Sequence, residues 1–532
     1  MDEITVFPSF GRKPRDSGVQ HVSAKWYWLA AVIIIPALGC GSGTVDPSPG
    51  IHQTKNPLVA QYTIAVPHKG STAWAEFGPD ASYGRQTLTT TPTASDGQSV
   101  SIFVAGMKPS TKYHMRAHVT WQGGEWIDQD QVFITGALPT SSSGGPVVPV
   151  MSVSGTAGNS ASPGIELLDL EDPPNTYTLS VLATDLNGNV IWYYDIGAGN
   201  VASPVKILPN GNVIMAIGPS SSVIREIDLA GDTIRELSAG TLSQELQSLG
   251  HNVNLNGFHH DIAILPNGHL IVLANLYQAY TNLPGYPGTT NVLGDVLIDL
   301  DPNWNPVWYW STFDHLDVNR HLMGFPDWTH SNTIVYDPRD GNLLLSIRHQ
   351  SWVIKINYQN GGGNGDIMWR LGEDGDFTLT PNDPSQWFYG QHFPAIVSQN
   401  GSNTTLSVMD NGNVRVVDSS GDACTAFNRA NADCYSRAVT FQIDENAKTA
   451  SVLWQDKPGG LFSWWGGDTL VLPNKDIEFD LCAPFGYQIG SEIMEVTPDA
   501  VPQLVWELDV SGVAAYRGYR VPSLYPGVAW QN

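Results

Sequence analysis

The sequence predicts an all-β protein, a six-bladed β-propeller preceded by a small fibronectin type III-like β-sandwich, and three observations predict it. The first is composition. Among 532 residues there are 53 Gly, 36 Pro and 18 Trp, and only 14% are charged. That mixture suits many short strands joined by tight turns, with aromatic side chains packed between sheets. The second is a repeated unit in which an apolar strand carrying Asp turns and ends in apolar-Trp. It occurs at Thr184-Asp185-Leu186-Asn187-Gly188-Asn189-Val190-Ile191-Trp192, at Ile298-Asp299 running to Val307-Trp308 and at Gly365-Asp366-Ile367-Met368-Trp369. It returns at Ile443-Asp444 running to Leu453-Trp454 and at Pro502-Gln503-Leu504-Val505-Trp506, with a divergent copy over 227–237. The third is a unit lying between these copies, an apolar strand, a Pro-Asn-Gly-like turn and a returning strand. Its turns are Leu208-Pro209-Asn210-Gly211, Leu265-Pro266-Asn267-Gly268, Asp337-Pro338-Arg339-Asp340-Gly341, Ser398-Gln399-Asn400-Gly401 and Leu472-Pro473-Asn474. Asn-Gly between alternating apolar residues marks a hairpin, since both turn positions tolerate positive φ. Two hairpins per repeat make a four-stranded blade, and the count gives six blades. An open array of sandwiches is the competing architecture.

The chain divides accordingly. Residues 1–40 read as an export signal: Arg12, Lys13, Arg15 and Lys25 precede an apolar run from Trp26 to Leu38 that ends Ala37-Leu38-Gly39-Cys40. The run has the length of a signal h-region and is short for a membrane span. Small residues before a cysteine resemble a bacterial lipobox, with Cys40 as the lipidated residue. An uncleaved anchor and a plain signal peptide are the other readings, and all three place the protein outside the cytoplasm, in the periplasm or on the outer membrane or cell surface. Residues 41–55 are a low-complexity tether. Residues 56–138 are strand-like, and Tyr113 after the Pro109-Ser110-Thr111 turn opens an alternating strand as in a fibronectin type III sandwich. Residues 139–164 read as a linker and 165–532 as the propeller.

A net charge of −25 excludes nucleic acid as a partner, because a phosphate backbone would be repelled. With Cys40 set aside, Cys424 and Cys434 bracket a polar loop and are free to pair in an oxidising compartment or to remain two thiols. Cys482 reads as a buried thiol.

Aligning the second units on their turns brings three histidines to one position. His260, His330 and His392 lie six residues before Pro266, Tyr336 and Ser398, each with an isoleucine four residues on. An even spacing from a shared apolar position gives all three the same orientation. Equivalent positions of successive blades surround the axis, so the three imidazoles converge on one mouth. Arg348 mirrors His330 across Arg339 in the same hairpin and is expected at that mouth. The same construction places Asn275 near His260, and Asp410 or Asn411 near His392. His259 and His349, one residue out of phase with that orientation, are expected on the opposite face. Trp328, Trp387, Trp464 and Trp465 are candidates for an aromatic wall. Imidazoles with a guanidinium suit transfer of a phosphoryl- or sulfuryl-type group through a histidine intermediate. Three histidines also suit zinc, although an adjacent arginine favours an anion.

The segments Phe258-His259-His260-Asp261, Asp327-Trp328-Thr329-His330-Ser331-Asn332, Leu345-Ser346-Ile347-Arg348-His349-Gln350, Gln391-His392 and Tyr435-Ser436-Arg437-Ala438-Val439 resemble, in order, the bacterial arylsulfate sulfotransferase family. The resemblance implies a six-bladed propeller that moves a sulfuryl group from a phenolic sulfate ester to a phenol, with no nucleotide donor and no cofactor. It implies His392 as the transiently sulfated nucleophile. Arg348 and His330 would hold the equatorial oxygens, and His260 would act as acid and base, with Asn332 and Trp328 beside the substrate. Implied partners are phenolic sulfate donors and phenolic acceptors, with a homodimer open, while the lipobox-like segment at Cys40 adds a membrane reached through a lipid anchor. Cys424 and Cys434 follow the nucleophile, whereas the family's short disulfide precedes it, and the N-terminal sandwich also departs from the family pattern. Both departures bear on dimerisation and acceptor choice more than on the reaction. A non-catalytic propeller binding a sulfated or aromatic ligand, and a histidine-ligated metalloenzyme, are the alternatives.

Overall fold

The computed structural model describes residues 49–140, 147–155, 161–171, 179–197, 199–417, 423–425, 433–484 and 490–531. The expected signal and Cys40 lie outside the described residues. The chain is all-β and built from sheets whose strands pair antiparallel, apart from Thr378–Leu379, which runs parallel to Thr449–Asp456. No helix among the described residues is long and apolar enough to cross a membrane.

Two sheets come first. One pairs Gly50–Gln53, Ala60–Ala65 and Ser99–Val104; the other holds Arg85–Gln86, Thr72–Gly78, Lys112–Trp121 and Gly124–Ile127, with Gln131–Ile134 added beside Lys112–Trp121. Period-two alternation buries Ala60, Tyr62 and Ile64 from the first sheet against Ala73, Ala75, Phe77, Met115 and Ala117 from the second. The Lys108 N–H donates to Tyr113 Oη at 2.9 Å, pinning the turn that precedes Tyr113. Residues 50–53, expected in the tether, form an edge strand instead, because their backbone pairs with Ala60–Ala65.

Six further sheets follow in chain order, and the predicted turns join their strands. The second sheet runs Asn200–Ile207, Val213–Pro219, Val223–Ile227, Thr233–Ser238; the third runs Gly257–Ile264, Leu270–Leu283, Tyr286–Leu300, Pro306–Ser311. The fourth runs Ser331–Asp337, Asn342–Ile347, Trp352–Ile356, Ile367–Leu371, and the fifth opens with His392–Asn400 and Asn403–Asp410. In the sixth, Thr469–Val471, Ile477–Cys482, Gly490–Val496 and Leu504–Ser511 gain a fifth strand, Val150–Gly155. That strand falls in the expected linker. Its small polar residues read as a linker, yet Met151 and Val153 alternate onto the core around Leu508. The first sheet, Val190–Tyr194, Val181–Thr184 and Ile165–Glu171, takes the C-terminal strand Ala514–Val521 as its edge.

The opening strands of successive sheets touch in sequence. Ile165–Glu171 meets Asn200–Ile207, then Gly257–Ile264, Ser331–Asp337, His392–Asn400 and Thr469–Val471 follow, and Ile477–Cys482 meets Ala514–Val521 to return to the first sheet. The tail after this last strand seats the N-terminal sheets. Tyr525 Oη accepts the Ala105 N–H at 2.7 Å, and Trp530 Nε1 donates to the Gln86 carbonyl at 3.0 Å.

Candidate active site

The strands carrying the three histidines break register at the histidine. Pairing shifts between Phe258 and Ile262, between Ser331 and Thr333, and between His392 and Ala395. His260, His330 and Phe393 there adopt φ of 58°, 47° and 45°. Left-handed backbone at non-glycine residues is costly and concentrates at functional sites. Here it turns the strand ends toward one another.

The result is a chain of imidazoles. His260 Nε2 lies 3.1 Å from His330 Nε2, and His330 Nδ1 lies 2.5 Å from Asp327 Oδ2. The carboxylate accepts from Nδ1, which leaves His330 Nε2 facing His260. His349 stacks on His330 with centroids 4.6 Å apart and donates from Nδ1 to the Asp327 carbonyl at 2.6 Å. Its Nε2 then receives Arg348 Nη1 at 3.3 Å. Burial, with His330 and Arg348 beside it, pushes His349 down to about 3 and keeps it neutral. Burial raises Asp327, but the charge and hydrogen bond of His330, with His349, hold it well below the usual carboxylate range.

His392 Nδ1 meets Asn411 Oδ1 at 2.7 Å. The Asn411 amide nitrogen donates to the carbonyls of Ser463 and Gly466 at 2.9 and 3.0 Å. The amide is therefore fixed with its oxygen toward His392, so the proton sits on Nδ1 and the lone pair on Nε2. Among the described residues only the Gly466 N–H approaches Nε2, at 3.3 Å. Burial, then Arg348, lowers the His392 pKa well below that of free imidazole, so the ring is neutral near pH 7.

Arg348 is 5% exposed. Its Nη2 donates to the Trp464 carbonyl at 2.9 Å, its Nε has no partner, and no carboxylate pairs with it among the described residues. Cys424 and Cys434 form a disulfide (S–S 2.02 Å) that packs with Phe462 against Trp464, the residue whose carbonyl Arg348 uses.

Some sequence expectations need correction. His259 and His349 do not face away. His259 Nε2 lies 3.2 Å from Asp295 Oδ1 with its ring edge-on to His260 at 4.9 Å, and His349 lies against His330. Strand alternation fails for both, because His259 precedes a left-handed residue and Arg348–Gln350 is a 3-10 turn. Asn275 bonds Asn256, not His260, since the register shift moves it opposite Gly257. Of the pair Asp410 and Asn411, Asn411 meets His392, while Asp410 is held by Arg415 and Arg437. Trp328 and Asn332 have no exposed surface. Trp328 Nε1 donates to the Arg320 carbonyl, and Asn332 Nδ2 donates to the Gln391 carbonyl at 2.7 Å, so each of these groups is engaged with the protein's own backbone. Trp387 packs on Phe441 in the core, whereas Trp464 and Trp465 stand at the site.

Sequence reasoning missed three groups. Asp327 arrives from a loop pinned to the third sheet by a bridge with Leu293, and its only trace in the sequence is a carboxylate three residues before His330. Tyr516, from the C-terminal strand, stacks on His260 at 5.1 Å and stands edge-on to His392 at 5.8 Å, with its hydroxyl buried and unpartnered among the described residues. Gly466 touches His392 through its amide, and the Gly-Gly pair after Trp464-Trp465 was the available signal.

Asp327, His330 and His349 also bring one ligand atom each within 4.8 Å of one another, a grouping able to hold a metal ion. Each imidazole nitrogen of that group already has a partner, and the Arg348 guanidinium donates into His349. The guanidinium charge beside these ligand atoms opposes a second cation there.

The family model described as Arylsulfotransferase (ASST) matches residues 157–517. That span holds His260, His330, Arg348, His392, Asp327 and Tyr516. The arylsulfate sulfotransferase AssT of Escherichia coli O6:H1 (strain CFT073) is 27% identical over 202 residues, covering 34% of this chain and 30% of that protein. Solved structures with similarity include a protein of unknown function from Bacteroides caccae, with 11% identity and a TM-score of 0.40 over 67% of this chain and 98% of that one. A second is a putative 6-phosphogluconolactonase from Bacteroides fragilis, with 12% identity and a TM-score of 0.31 over 85% of this chain and 98% of that one. Since the family match runs through two thirds of the chain and takes in every group of the histidine cluster, the chain belongs to the arylsulfotransferase (ASST) family.

Proposed function

We propose that the protein is an arylsulfate sulfotransferase working through a sulfohistidine at His392, on a six-bladed propeller preceded by a fibronectin type III-like sandwich. The ring of touching opening strands and the tyrosine-pinned turn at Tyr113 support that architecture. One observation carries the functional reading: among the described residues, a buried guanidinium with no carboxylate partner, Arg348, stands beside a neutral imidazole whose Nε2 lone pair meets only one long amide contact. An unpaired buried cation is costly unless an anion arrives to meet it.

In the first half-reaction His392 Nε2 attacks sulfur, the N–S bond forms and the bond from sulfur to the aryl oxygen breaks. The aryloxide leaves with a proton from His260. Asn411 keeps the Nδ1–H through the step, and Arg348 neutralises the sulfuryl oxygens where charge builds. In the second half, the acceptor phenol returns its proton to His260 and its oxygen displaces His392 from sulfur. No nucleotide donor enters. Tyr516, Trp464 and Trp465 form an aromatic surface suited to phenyl rings. The N-terminal apolar run ending at Cys40 supports export to the periplasm or outer membrane as a lipoprotein.

The test is transfer from 4-nitrophenyl sulfate to phenol by purified protein without nucleotide. Nitrophenol release that depends on phenol, and that is abolished in His392→Ala, is the expected result. Equal release by His392→Ala, or no release at all, would overturn the reading. Stoichiometric zinc in active protein would replace it with the metalloenzyme.

A further inference from the structure

We infer that Asp327 is the positioning residue of a proton-transfer line, Asp327–His330–His260, in which His330 stores the proton and His260 delivers it. The inference rests on the sulfotransfer reading and changes one role within it, because His330 then acts through His260 instead of holding sulfuryl oxygens.

The geometry leaves little choice of atoms. Both ring nitrogens of His330 are taken, Nδ1 by Asp327 Oδ2 at 2.5 Å and Nε2 by His260 Nε2 at 3.1 Å. His330 therefore has no nitrogen left for a sulfuryl oxygen. His260 uses Nε2 toward His330, its one side-chain hydrogen bond among the described residues, which leaves Nδ1 as the atom that can meet the substrate oxygen. In the resting line the extra proton sits on His330. Its Nδ1–H donates to Asp327 and its Nε2–H donates to the His260 lone pair, while His260 carries its own proton on Nδ1. When the aryl-oxygen bond to sulfur breaks, the aryloxide takes the His260 Nδ1 proton and His260 Nε2 takes the proton from His330 Nε2. His330 is left neutral, still bonded to Asp327. The acceptor phenol reverses each transfer, so the line ends as it began and protons balance over the cycle.

A carboxylate makes this line work by stabilising imidazolium at His330. Burial and the surrounding histidines lower the pKa of His260, so His260 transmits the proton and does not retain it. Asp327 is well placed to hold the line still. Its backbone bridges Leu293, its amide donates to the Gly324 carbonyl at 3.0 Å, and its own carbonyl fixes the His349 tautomer that receives Arg348. Substituting only the side chain leaves these backbone contacts, and with them the placement of Arg348, in position.

The test compares Asp327→Asn with wild type on two donors of unequal leaving-group basicity, phenyl sulfate and 4-nitrophenyl sulfate. Phenoxide needs the proton as it leaves and nitrophenoxide barely does. The expected result is a fall of about 100-fold in kcat/KM for phenyl sulfate, within the usual range for lost acid catalysis, against less than about tenfold for 4-nitrophenyl sulfate. Asp327→Glu should recover part of the loss. Equal losses on both donors would overturn the inference, since a merely loosened fold slows both alike. A second measurement does not depend on activity. The far-downfield proton resonance of His330 Nδ1–H is expected in wild type and absent from both Asp327→Asn and His330→Gln. Its persistence in Asp327→Asn overturns the inference. A wild type that transfers nothing refutes the sulfotransfer reading, while the resonance still decides the Asp327–His330 pair.

Discussion

The Nδ1–H of His392 donates to Asn411 Oδ1 at 2.7 Å, and two carbonyls on the far side of Asn411 prevent its amide from flipping. A neutral side chain thus sets the tautomer of the proposed nucleophile without placing a charge against it. Asn411→Ala frees the imidazole to hold its proton on either nitrogen and removes a donor from two buried carbonyls, of which Ser463 keeps the Ser436 hydroxyl and Gly466 loses its side-chain partner. Turnover should fall roughly 10- to 100-fold, and unfolding free energy by about 1–3 kcal/mol. Steady-state kinetics and denaturant titration of the same preparation check both. Asn411→Asp separates the two effects, because an anion facing Nδ1 stabilises imidazolium and moves the acid limb of kcat/KM to higher pH.

Arg348 acts on the same imidazole through its charge. His392 is lowered by burial first and by Arg348 second, and a lowered imidazole pKa keeps the free base further into acid. In wild type the acid limb of kcat/KM for 4-nitrophenyl sulfate should therefore lie below about pH 6.5, the value of an unperturbed imidazole. Arg348→Gln removes the second cause, so the limb should move upward while the plateau falls roughly 100- to 1000-fold from lost oxyanion stabilisation. A fall in the plateau with an unmoved limb would show that the guanidinium does not sense His392.

The turns were legible because their chemistry is local. Gly211, Gly268, Gly341 and Gly401 take φ of 86°, 83°, 70° and 60° between paired strands, as the Asn-Gly and Asp-Gly steps require. The histidines were legible because three sheets repeat one position. What was not legible arrives by routes with no repeat. Tyr516 belongs to the strand that closes the first sheet, far along the chain from His260 and His392. Asp327 sits on a loop whose place depends on a bridge to Leu293. His259 and His349 were misplaced by strand alternation, which holds only until the backbone enters left-handed φ or a 3-10 turn. The assignment of distinct roles to His260, His330 and His392 came from the family resemblance, since symmetry of position cannot separate them.

Gly466 has φ of +65°, and an added Cβ would stand 2.7 Å from Cys482 Sγ and 3.3 Å from the Tyr516 carbonyl. Its amide and carbonyl touch His392 and Asn411, so any displacement reaches the nucleophile directly. Gly466→Ala should lower kcat by roughly tenfold or more and destabilise the fold by about 1–3 kcal/mol. Gly460→Ala is the control. Its φ is +68° with nothing within 4 Å, so it carries the backbone strain without the collision. A similar thermal shift with unchanged turnover in the control would assign the Gly466 effect on rate to the collision.

Asp480 tests a different region, the interior between the first and sixth sheets. Asp480 is fully buried, with both carboxylate oxygens unpartnered among the described residues, near Asp468, Asp169, Glu478 and Glu492. Burial first, then these neighbouring carboxylates, raises its pKa well above the usual value. The folded state therefore keeps a proton that the unfolded chain releases above about pH 4, and wild-type stability from this group falls as pH rises, by up to about 1.4 kcal/mol per unit until the folded pKa is passed. Asp480→Asn presents a similar shape and does not titrate. The two proteins should unfold at similar temperatures near pH 4, and the variant should gain steadily over wild type toward pH 7. Calorimetry over that interval decides it, and a temperature difference that stays constant with pH would mean that Asp480 does not retain its proton in the folded state.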